Sequence, residues 1–321
     1  MKSPSQITAI AKSVIRLEAT EINALESKIN DAFAKAVELI LSSKGRAIIA
    51  GVGKSANIAS KIVATFNSTG QPAVFLHAAD AIHGDLGNIQ KNDIVICISK
   101  SGNTEEIKYL LPLIKNMGNK IIAICGNIDS YLANNADCLL DASIEKEACP
   151  HNLAPTSSTT AQLVLGDALA ICLLESKDFT DKDFARFHPG GTLGKKLFLK
   201  VNDIAKNNER PNVQINESVA NVIVEISSKR LGATAVLDEQ KLVGIITDGD
   251  LRRMLEEGKN IDQLLAKDIM NNNPKTIVGI ALAIDALKMM ETHNISQLIA
   301  VNKDEYIGVI HMHDILKEGI A

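Results

Sequence analysis

The chain has 321 residues, of which 46% are hydrophobic and 22% are charged, and its formal net charge at pH 7 is −4. This length exceeds what a single hydrophobic core usually organises, so we expect about two globular domains. The acidic balance argues against nucleic acid as the main partner, because binding to a phosphate backbone needs a basic surface.

Cysteine usage and hydropathy indicate a location in the cell. The five cysteines show no CxxC spacing, which is typical of free thiols in a reducing compartment. The N-terminal residues lack the apolar stretch of a signal peptide, and the apolar tract 163–174 is interrupted by Gly166 and Asp167. We therefore expect no segment long enough to span a membrane, and a cytoplasmic protein.

The chain opens with a helical region and continues with alternating elements. From residue 5 to 43, apolar side chains recur at steps of three and four residues, which predicts amphipathic helix. Short runs rich in β-branched residues then alternate with helical patterns; these runs are 47–50, 73–76, 94–98, 121–125 and the weaker 138–141. Such alternation predicts a parallel sheet with helices on both faces. Ligands bind at the carboxyl ends of such strands, so the loops after these runs are the places to look for function.

The first candidate motif, 51–55, reads GVGKS and directly follows a predicted strand. It opens a helix whose N-terminal N–H groups could hold an anion. A Walker A loop would need glycine where Ile48 stands. A dinucleotide fingerprint fits Gly51, Gly53 and Ala56, but no carboxylate ends the next strand, and Asp80 is the nearest. A tight turn that serves only helix–strand packing is the third interpretation.

Hydroxyl groups cluster at two further helix starts. The segment 99–104 reads SKSGNT and carries three hydroxyls, whereas a helix cap needs only one. Closely spaced hydroxyls with free backbone donors form a cradle for one phosphate. The segment 156–160 reads TSSTT and opens another helix with the same excess. These turns predict a site for a phosphorylated small molecule.

An internal repeat follows the Pro-Gly-Gly stretch at 189–191. Segment 244–251 aligns with 308–315, and 202–204 aligns with 267–269, so the two copies differ by one net gap. The pattern resembles a tandem CBS pair, with units at 203–262 and 267–321.

Six motifs taken in order resemble those of the arabinose 5-phosphate isomerases. They are GVGKS at 51–55, HGDLG at 83–87, ISKSGNTEEI at 98–107, KEACP at 146–150, LAPTSSTT at 153–160 and HPGG at 188–191. The resemblance covers nearly the whole chain. It implies an α/β fold in which a sugar-isomerase (SIS) domain, 1–200, with a parallel sheet flanked by helices, precedes the CBS pair. It also implies interconversion of ribulose 5-phosphate and arabinose 5-phosphate through an enediol, feeding Kdo and lipopolysaccharide biosynthesis, and we expect no cofactor. The glutamate and histidines could form a metal site, but no two of them lie at i and i+4 on one predicted helix, so we expect no essential metal.

The resemblance further implies active-site roles for Lys54, Glu106, Glu147 and His188. We expect Glu147 to be the base that moves a proton between C1 and C2, because it lies in an irregular segment after the last strand. Glu106 is the alternative base, or a group that orients a sugar hydroxyl. Lys54 would neutralise the phosphate or the enediolate oxygen. We assign opening of the sugar ring to His188, with His83 as its rival.

Two sets of binding residues complete these expectations. The sugar phosphate is expected to contact Gly53, Ser55, Ser99, Ser101, Thr104, Thr156 and Ser157. In the CBS repeat, Thr247 and Asp250 match the pattern that holds an adenosine ribose; the second copy retains Asp314 but has His311 in place of the hydroxyl residue. A nucleotide ligand and a purely oligomer-building role both remain open for the CBS pair.

Two other functions compete with the isomerase. A non-catalytic sugar-phosphate sensor would usually carry a DNA-binding helix-turn-helix, and residues 1–44 offer no clear one and no basic patch. A nicotinamide-dependent oxidoreductase would bind NAD(H) tightly. The apolar stripe of the first helix, together with the self-pairing implied by the SIS resemblance, predicts a homotetramer.

Overall fold

A computed structural model describes residues 1–258, 260–303 and 305–320. It divides into two compact units, Met1–Phe187 and His188–Ala321.

The first unit alternates strands and helices as the sequence predicts. Its strands are β1 Ala47–Gly51, β2 Ala73–His77, β3 Ile94–Ser99, β4 Lys120–Cys125 and β5 Cys138–Asp141. Its helices are α1 Pro4–Leu25, α2 Asp31–Ser42, α3 Lys54–Ser68, α4 Ala78–Ala81, α5 Glu105–Asn116, α6 Tyr131–Asn135, α7 Ser157–Ser176 and α8 Asp181–Phe187. The N-terminal helical region is two helices rather than one, because Asn30 caps a new helix by accepting a hydrogen bond from Ala32 N at 2.9 Å.

The five strands form one parallel sheet in the order β2-β1-β3-β4-β5. On one face α2, α3 and α7 pack against the sheet, and on the other α4, α5 and α6 do so. The predicted architecture of a parallel sheet between helices is therefore confirmed. The order reverses between β1 and β3, and in doubly wound sheets ligands bind in the crevice at this switch point, outside the carboxyl ends of the strands.

Helix α7 crosses the first unit as a core helix. Ala161, Leu165 and Leu169 are buried, and Gly166 packs so closely against Ile62 that a Cβ added there would lie 2.3 Å from Ile62 Cδ1. By length and composition α7 could cross a membrane, which the sequence analysis did not expect. Half of its apolar window is buried inside the unit, as in the core helix of a globular domain.

The second unit contains the predicted repeat. Its first copy is β6 Asn212–Gln214, α11 Val219–Lys229, β7 Ala233–Asp238, β8 Lys241–Thr247 and α12 Asp248–Glu256. The second copy is β9 Thr276–Val278, α14 Ala283–His293, β10 Gln297–Asn302, β11 Glu305–His311 and α15 Met312–Lys317. The remaining helices are α9 Thr192–Phe198, α10 Val201–Ala205 and α13 Ala266–Ile269. The strands join in one sheet, β6-β7-β8-β11-β10-β9, so the two copies meet at the β8–β11 pair.

Candidate active site

A cavity of about 220 Å³ lies at the switch point of the first unit. Its wall combines residues that follow β1, the end of β3 with the residues after it, and Pro155 with the first two turns of α7. The lining residues are Val52, Lys54, Ser55, Ile98, Ser99, Lys100, Ser101, Thr104, Pro155, Ser158, Thr159 and Gln162. The wall is rich in hydroxyl groups, its charged groups are two lysines, and no carboxylate is among these residues.

The loop after β1 turns sharply into α3. Gly53 has a φ of +58°, a left-handed conformation that favours glycine. The turn brings Lys54 and Ser55 to the cavity wall, and Ser55 Oγ donates to Gln162 Oε1 at 3.2 Å. Gly53 therefore shapes the loop, while its two successors present their side chains to the cavity.

The loop after β3 holds its hydroxyls in fixed positions. Ser99 Oγ accepts from Gly102 N at 3.0 Å, and Ser101 Oγ accepts from Asn103 N at 3.2 Å. Gly102 has a φ of +64°, and a Cβ there would lie 2.0 Å from Ser130 Oγ, so only glycine fits. Thr104 Oγ1 is buried and has no hydrogen-bond partner among the described residues. Its hydroxyl is thus available to a ligand at the N-terminus of α5.

Glu147 is fully buried and accepts five hydrogen bonds. Lys100 Nζ donates to Oε1 at 2.6 Å and Ser158 Oγ at 2.5 Å. Oε2 receives Thr156 N at 2.8 Å, Thr156 Oγ1 at 3.0 Å and Ser158 N at 3.2 Å. This one carboxylate therefore joins the loop after β3 to the start of α7.

The environment of Glu147 decides its acid–base character. Burial alone would raise the pKa of Glu147, but the hydrogen bonds from Lys100, Ser158 and the backbone of Thr156 outweigh it and lower the pKa to about 2. A carboxylate with so low a pKa and with its lone pairs occupied is a weak proton acceptor at neutral pH. The geometry therefore argues against the expected role of Glu147 as the base and favours a positioning role.

The segment that carries Glu147 is itself held in place. Glu147 N donates to Asn152 Oδ1 at 2.8 Å. Glu21 of α1, which is also buried, accepts from Glu145 N at 2.9 Å and from Lys146 N at 3.0 Å. Helix α1 thus fixes the approach to Glu147 through a second buried carboxylate.

The start of α7 differs from the sequence expectation. Thr156 and Ser157 were expected to contact the sugar phosphate, but they are not among the lining residues, and Ser158 and Thr159 are. The Thr156 hydroxyl is used inside the protein, where it donates to Glu147 and accepts from Ala148 N at 2.9 Å. Ser157 is fully buried. The hydrogen bonds from Thr156 to Glu147 fix how the start of α7 is rotated about its axis, and so decide which hydroxyls face the cavity. A run of hydroxyl residues in the sequence does not show this rotation.

Comparison with known proteins decides the family. The SIS domain model matches residues 40–172, and the CBS domain model matches 201–257 and 266–320. The chain is 49% identical over 97% of its length to the arabinose 5-phosphate isomerase KdsD of Pseudomonas aeruginosa, covering 96% of that protein. It is 42% identical over the same share to KdsD of Escherichia coli K12, covering 95% of it. A protein of E. coli CFT073 solved in complex with arabinose 5-phosphate aligns at a TM-score of 0.57 and 39% identity, over 59% of this chain and all of that one. The chain belongs to the arabinose 5-phosphate isomerase family.

Three residues to which the resemblance gave roles lie outside the cavity wall of this isomerase-family chain. Glu106, in the first turn of α5, is half-buried, and no hydrogen bond or ion pair in the described ranges engages its side chain. His83 is exposed in the turn after α4. His188 is the first residue of the second unit. Within the part of the chain that the structure describes, no side-chain hydrogen bond or ion pair engages Glu106 or His83, so both keep the free lone pairs that a proton acceptor needs.

The CBS unit of this isomerase-family chain contains a cavity of about 300 Å³. Its wall joins both repeats and combines two isoleucines, Ile245 and Ile295, with the polar or charged residues Thr247, Asp250, Arg253, Asn271, Asn273, Lys275, His293 and Gln297. Asp314, the counterpart of Asp250, does not line this cavity. Both carboxylates accept hydrogen bonds inside the protein: Asp250 from Thr247 N at 2.8 Å, and Asp314 from Asn208 Nδ2 at 2.8 Å and from His311 N at 3.2 Å. The two halves of the repeat are therefore not equivalent.

The described residues 1–258, 260–303 and 305–320 bring no three His, Cys, Asp or Glu side chains together as metal ligands would be. The wall of the first-unit cavity offers hydroxyls and ammonium groups instead, which suit an oxyanion.

Acid should weaken the folded state partly through Glu147. The folded pKa of about 2 lies below the ordinary value of 4.5, so the ionised group stabilises the fold above about pH 4.5 and loses this contribution as the pH falls toward 2. The shift corresponds to on the order of 3 kcal/mol. We expect the free energy of unfolding, measured with urea, to fall less steeply between about pH 5 and pH 3 for Glu147→Gln than for the wild type. Glu105→Gln, which removes an exposed carboxylate, serves as the control. If the free energy of unfolding depended on pH equally in Glu147→Gln and in the wild type, the lowered pKa assigned to Glu147 would be contradicted.

Proposed function

We propose that this chain is an aldose–ketose isomerase that interconverts D-ribulose 5-phosphate and D-arabinose 5-phosphate through an enediol intermediate. The observation that carries the proposal is the hydroxyl-lined, lysine-bearing cavity at the β1/β3 switch point, in a chain 49% identical to a curated arabinose 5-phosphate isomerase. The proposed product would feed Kdo and lipopolysaccharide biosynthesis.

The phosphate binds, in this proposal, at the N-terminus of α5. Ser99, Ser101 and Thr104 surround that helix start, and the free N–H groups and helix dipole favour an anion there. Lys54 faces the same cavity from α3 and would neutralise either the phosphate or the enediolate oxygen. Ser55 contributes a further hydroxyl on that side.

Proton transfer between C1 and C2 requires a group with a free lone pair near the sugar carbons. Because the lone pairs of Glu147 are occupied, we assign the base to Glu106 or His83. We retain His188 as the group that opens the furanose ring, with His83 as its rival. A histidine suits that step because its ordinary pKa lies near neutral pH.

A non-catalytic sugar-phosphate sensor remains the alternative. Such a protein would use the same phosphate cradle, so binding alone does not separate the two functions. Turnover does: a sensor would bind arabinose 5-phosphate without converting it.

We expect the purified protein to convert ribulose 5-phosphate to arabinose 5-phosphate without added NAD(H). Glu106→Gln or His83→Asn should lower kcat by about 10²-fold or more in whichever variant removes the base. Glu105→Gln changes the neighbouring carboxylate, which is exposed and paired with Lys108 at 2.9 Å, and should keep wild-type kcat. Absence of turnover in the wild type, together with tight binding of the sugar phosphate, would favour the sensor.

The oligomeric state and the cell compartment belong to the same proposal. Along the N-terminal half of α1, Ile7, Ile10 and Ile15 are exposed, which supports self-association through that helix. We propose a cytoplasmic homotetramer.

For the second unit we propose a nucleotide ligand in the CBS cavity. We retain the division into a SIS domain, 1–200, and CBS units at 203–262 and 267–321. Thr247 and Asp250 line the cavity, and Arg253 and Lys275 would supply charge for a phosphate. Asp314 does not line this cavity, which supports a single site that uses Asp250.

Titration with AMP, ADP and ATP tests this ligand. We expect calorimetry to detect binding of at least one of them, and Asp250→Asn to weaken it by about 10-fold or more, since a hydrogen bond to a charged group is lost. Asp314→Asn is the matched control and should bind like the wild type. Equal loss in both variants, or no binding by the wild type, would contradict the proposed site.

A further inference from the structure

The structure assigns to Lys100 the role of a second substrate-binding cation, held by Glu147 so that its ammonium group faces the sugar phosphate. This inference rests on the proposed isomerase function and refines its binding site.

An ion pair with Glu147 holds the ammonium group of Lys100 in place. It directly follows Ser99, the last residue of β3, and its Nζ lies 2.6 Å from Glu147 Oε1. An ion pair between two exposed side chains is usually weak, because both must be ordered in water. Here Glu147 is fully buried and held by Thr156 and Ser158 as well, so it offers the ammonium group a rigid acceptor.

The Lys100 ammonium group has N–H donors that the bond to Glu147 does not use. The Lys100 side chain is 42% exposed, and the residue lines the cavity. An ammonium group has three donors. The bond to Glu147 uses one, and no second hydrogen bond of Lys100 Nζ occurs within the described ranges. Donors therefore remain for a ligand in the cavity.

The charge of the cavity matches a phosphate. Lys54 and Lys100 are the charged residues of its wall, and Glu147, which forms the ion pair with Lys100, is not among the lining residues. A phosphate monoester carries about −1.5 to −2 charges at pH 7, so a single lysine would leave it partly uncompensated. Lys54 supplies one positive charge, and the Lys100–Glu147 pair, which is neutral as a whole, presents its ammonium group in the wall while its carboxylate lies outside the wall.

This role predicts a specific kinetic signature. The phosphate is present in substrate, intermediate and product alike, so a contact to it stabilises all of them to a similar degree. Its loss should raise KM in both reaction directions while leaving kcat nearly unchanged. We expect Lys100→Met, which keeps the apolar stem and removes the charge, to raise KM by about 10-fold or more.

The test compares Lys100→Met with Lys108→Met in steady-state kinetics and in calorimetric titration with arabinose 5-phosphate and with inorganic phosphate. Lys108 also forms an ion pair, with Glu105, but lies outside the cavity wall, so its variant should keep wild-type KM and affinity. Unchanged KM and unchanged affinity in Lys100→Met would overturn the inference, as would a fall in kcat with KM unchanged. A wild type without turnover would instead overturn the isomerase proposal, and the titrations would still test Lys100.

A double-mutant cycle tests whether Glu147 acts through Lys100. If Glu147 positions the ammonium group, the effects of Glu147→Gln and Lys100→Met on phosphate affinity should be strongly non-additive. Thermal unfolding of each variant confirms that it is folded before it is titrated. Fully additive effects in folded variants would overturn the positioning role.

Discussion

The buried carboxylate of Glu147 determines the shape of the cavity in the first unit. It accepts hydrogen bonds from Lys100, which follows β3, and from Thr156 and Ser158, which open α7. Those segments are far apart in the sequence, and no backbone ladder joins them. A buried charge without partners would be strongly unfavourable, so these five hydrogen bonds favour the arrangement that holds the two segments together.

That geometry suits the proposed chemistry. The cavity lies where the strand order reverses, so the loops after β1 and β3 diverge and leave space between them. The start of α5 and two lysines favour an anion, and the unpartnered Thr104 hydroxyl offers a further donor. A rigid phosphate site fixes one end of a small sugar and thereby limits where C1 and C2 can lie. Glu147 contributes to this by positioning Lys100 and α7, which leaves proton transfer to groups with free lone pairs.

Sequence patterns predict the strands and the loops of this site, but they do not predict which side chains contact Glu147 and the cavity. Periodicity places the five strands of the first unit, and the glycine and hydroxyl motifs locate the loops after β1 and β3. Three results required the structure. Ser158 and Thr159 line the cavity where Thr156 and Ser157 were expected, both carboxylate oxygens of Glu147 accept hydrogen bonds, and Lys100 is exposed to the cavity. Each depends on which side chain captures a buried carboxylate, and this is a long-range contact that local patterns do not encode. Gln162 could have been found from sequence, since it lies one helical turn after Ser158 and therefore on the same face.

The most direct measurement of the central claim is a crystal structure of the chain with arabinose 5-phosphate bound. We expect the phosphate within hydrogen-bond distance of the Ser101 and Thr104 hydroxyls and of Lys100 Nζ, with Glu147 still hydrogen-bonded to Thr156 and Ser158. A sugar phosphate bound away from this cavity, or Glu147 released from α7 and in contact with C1 or C2, would contradict it.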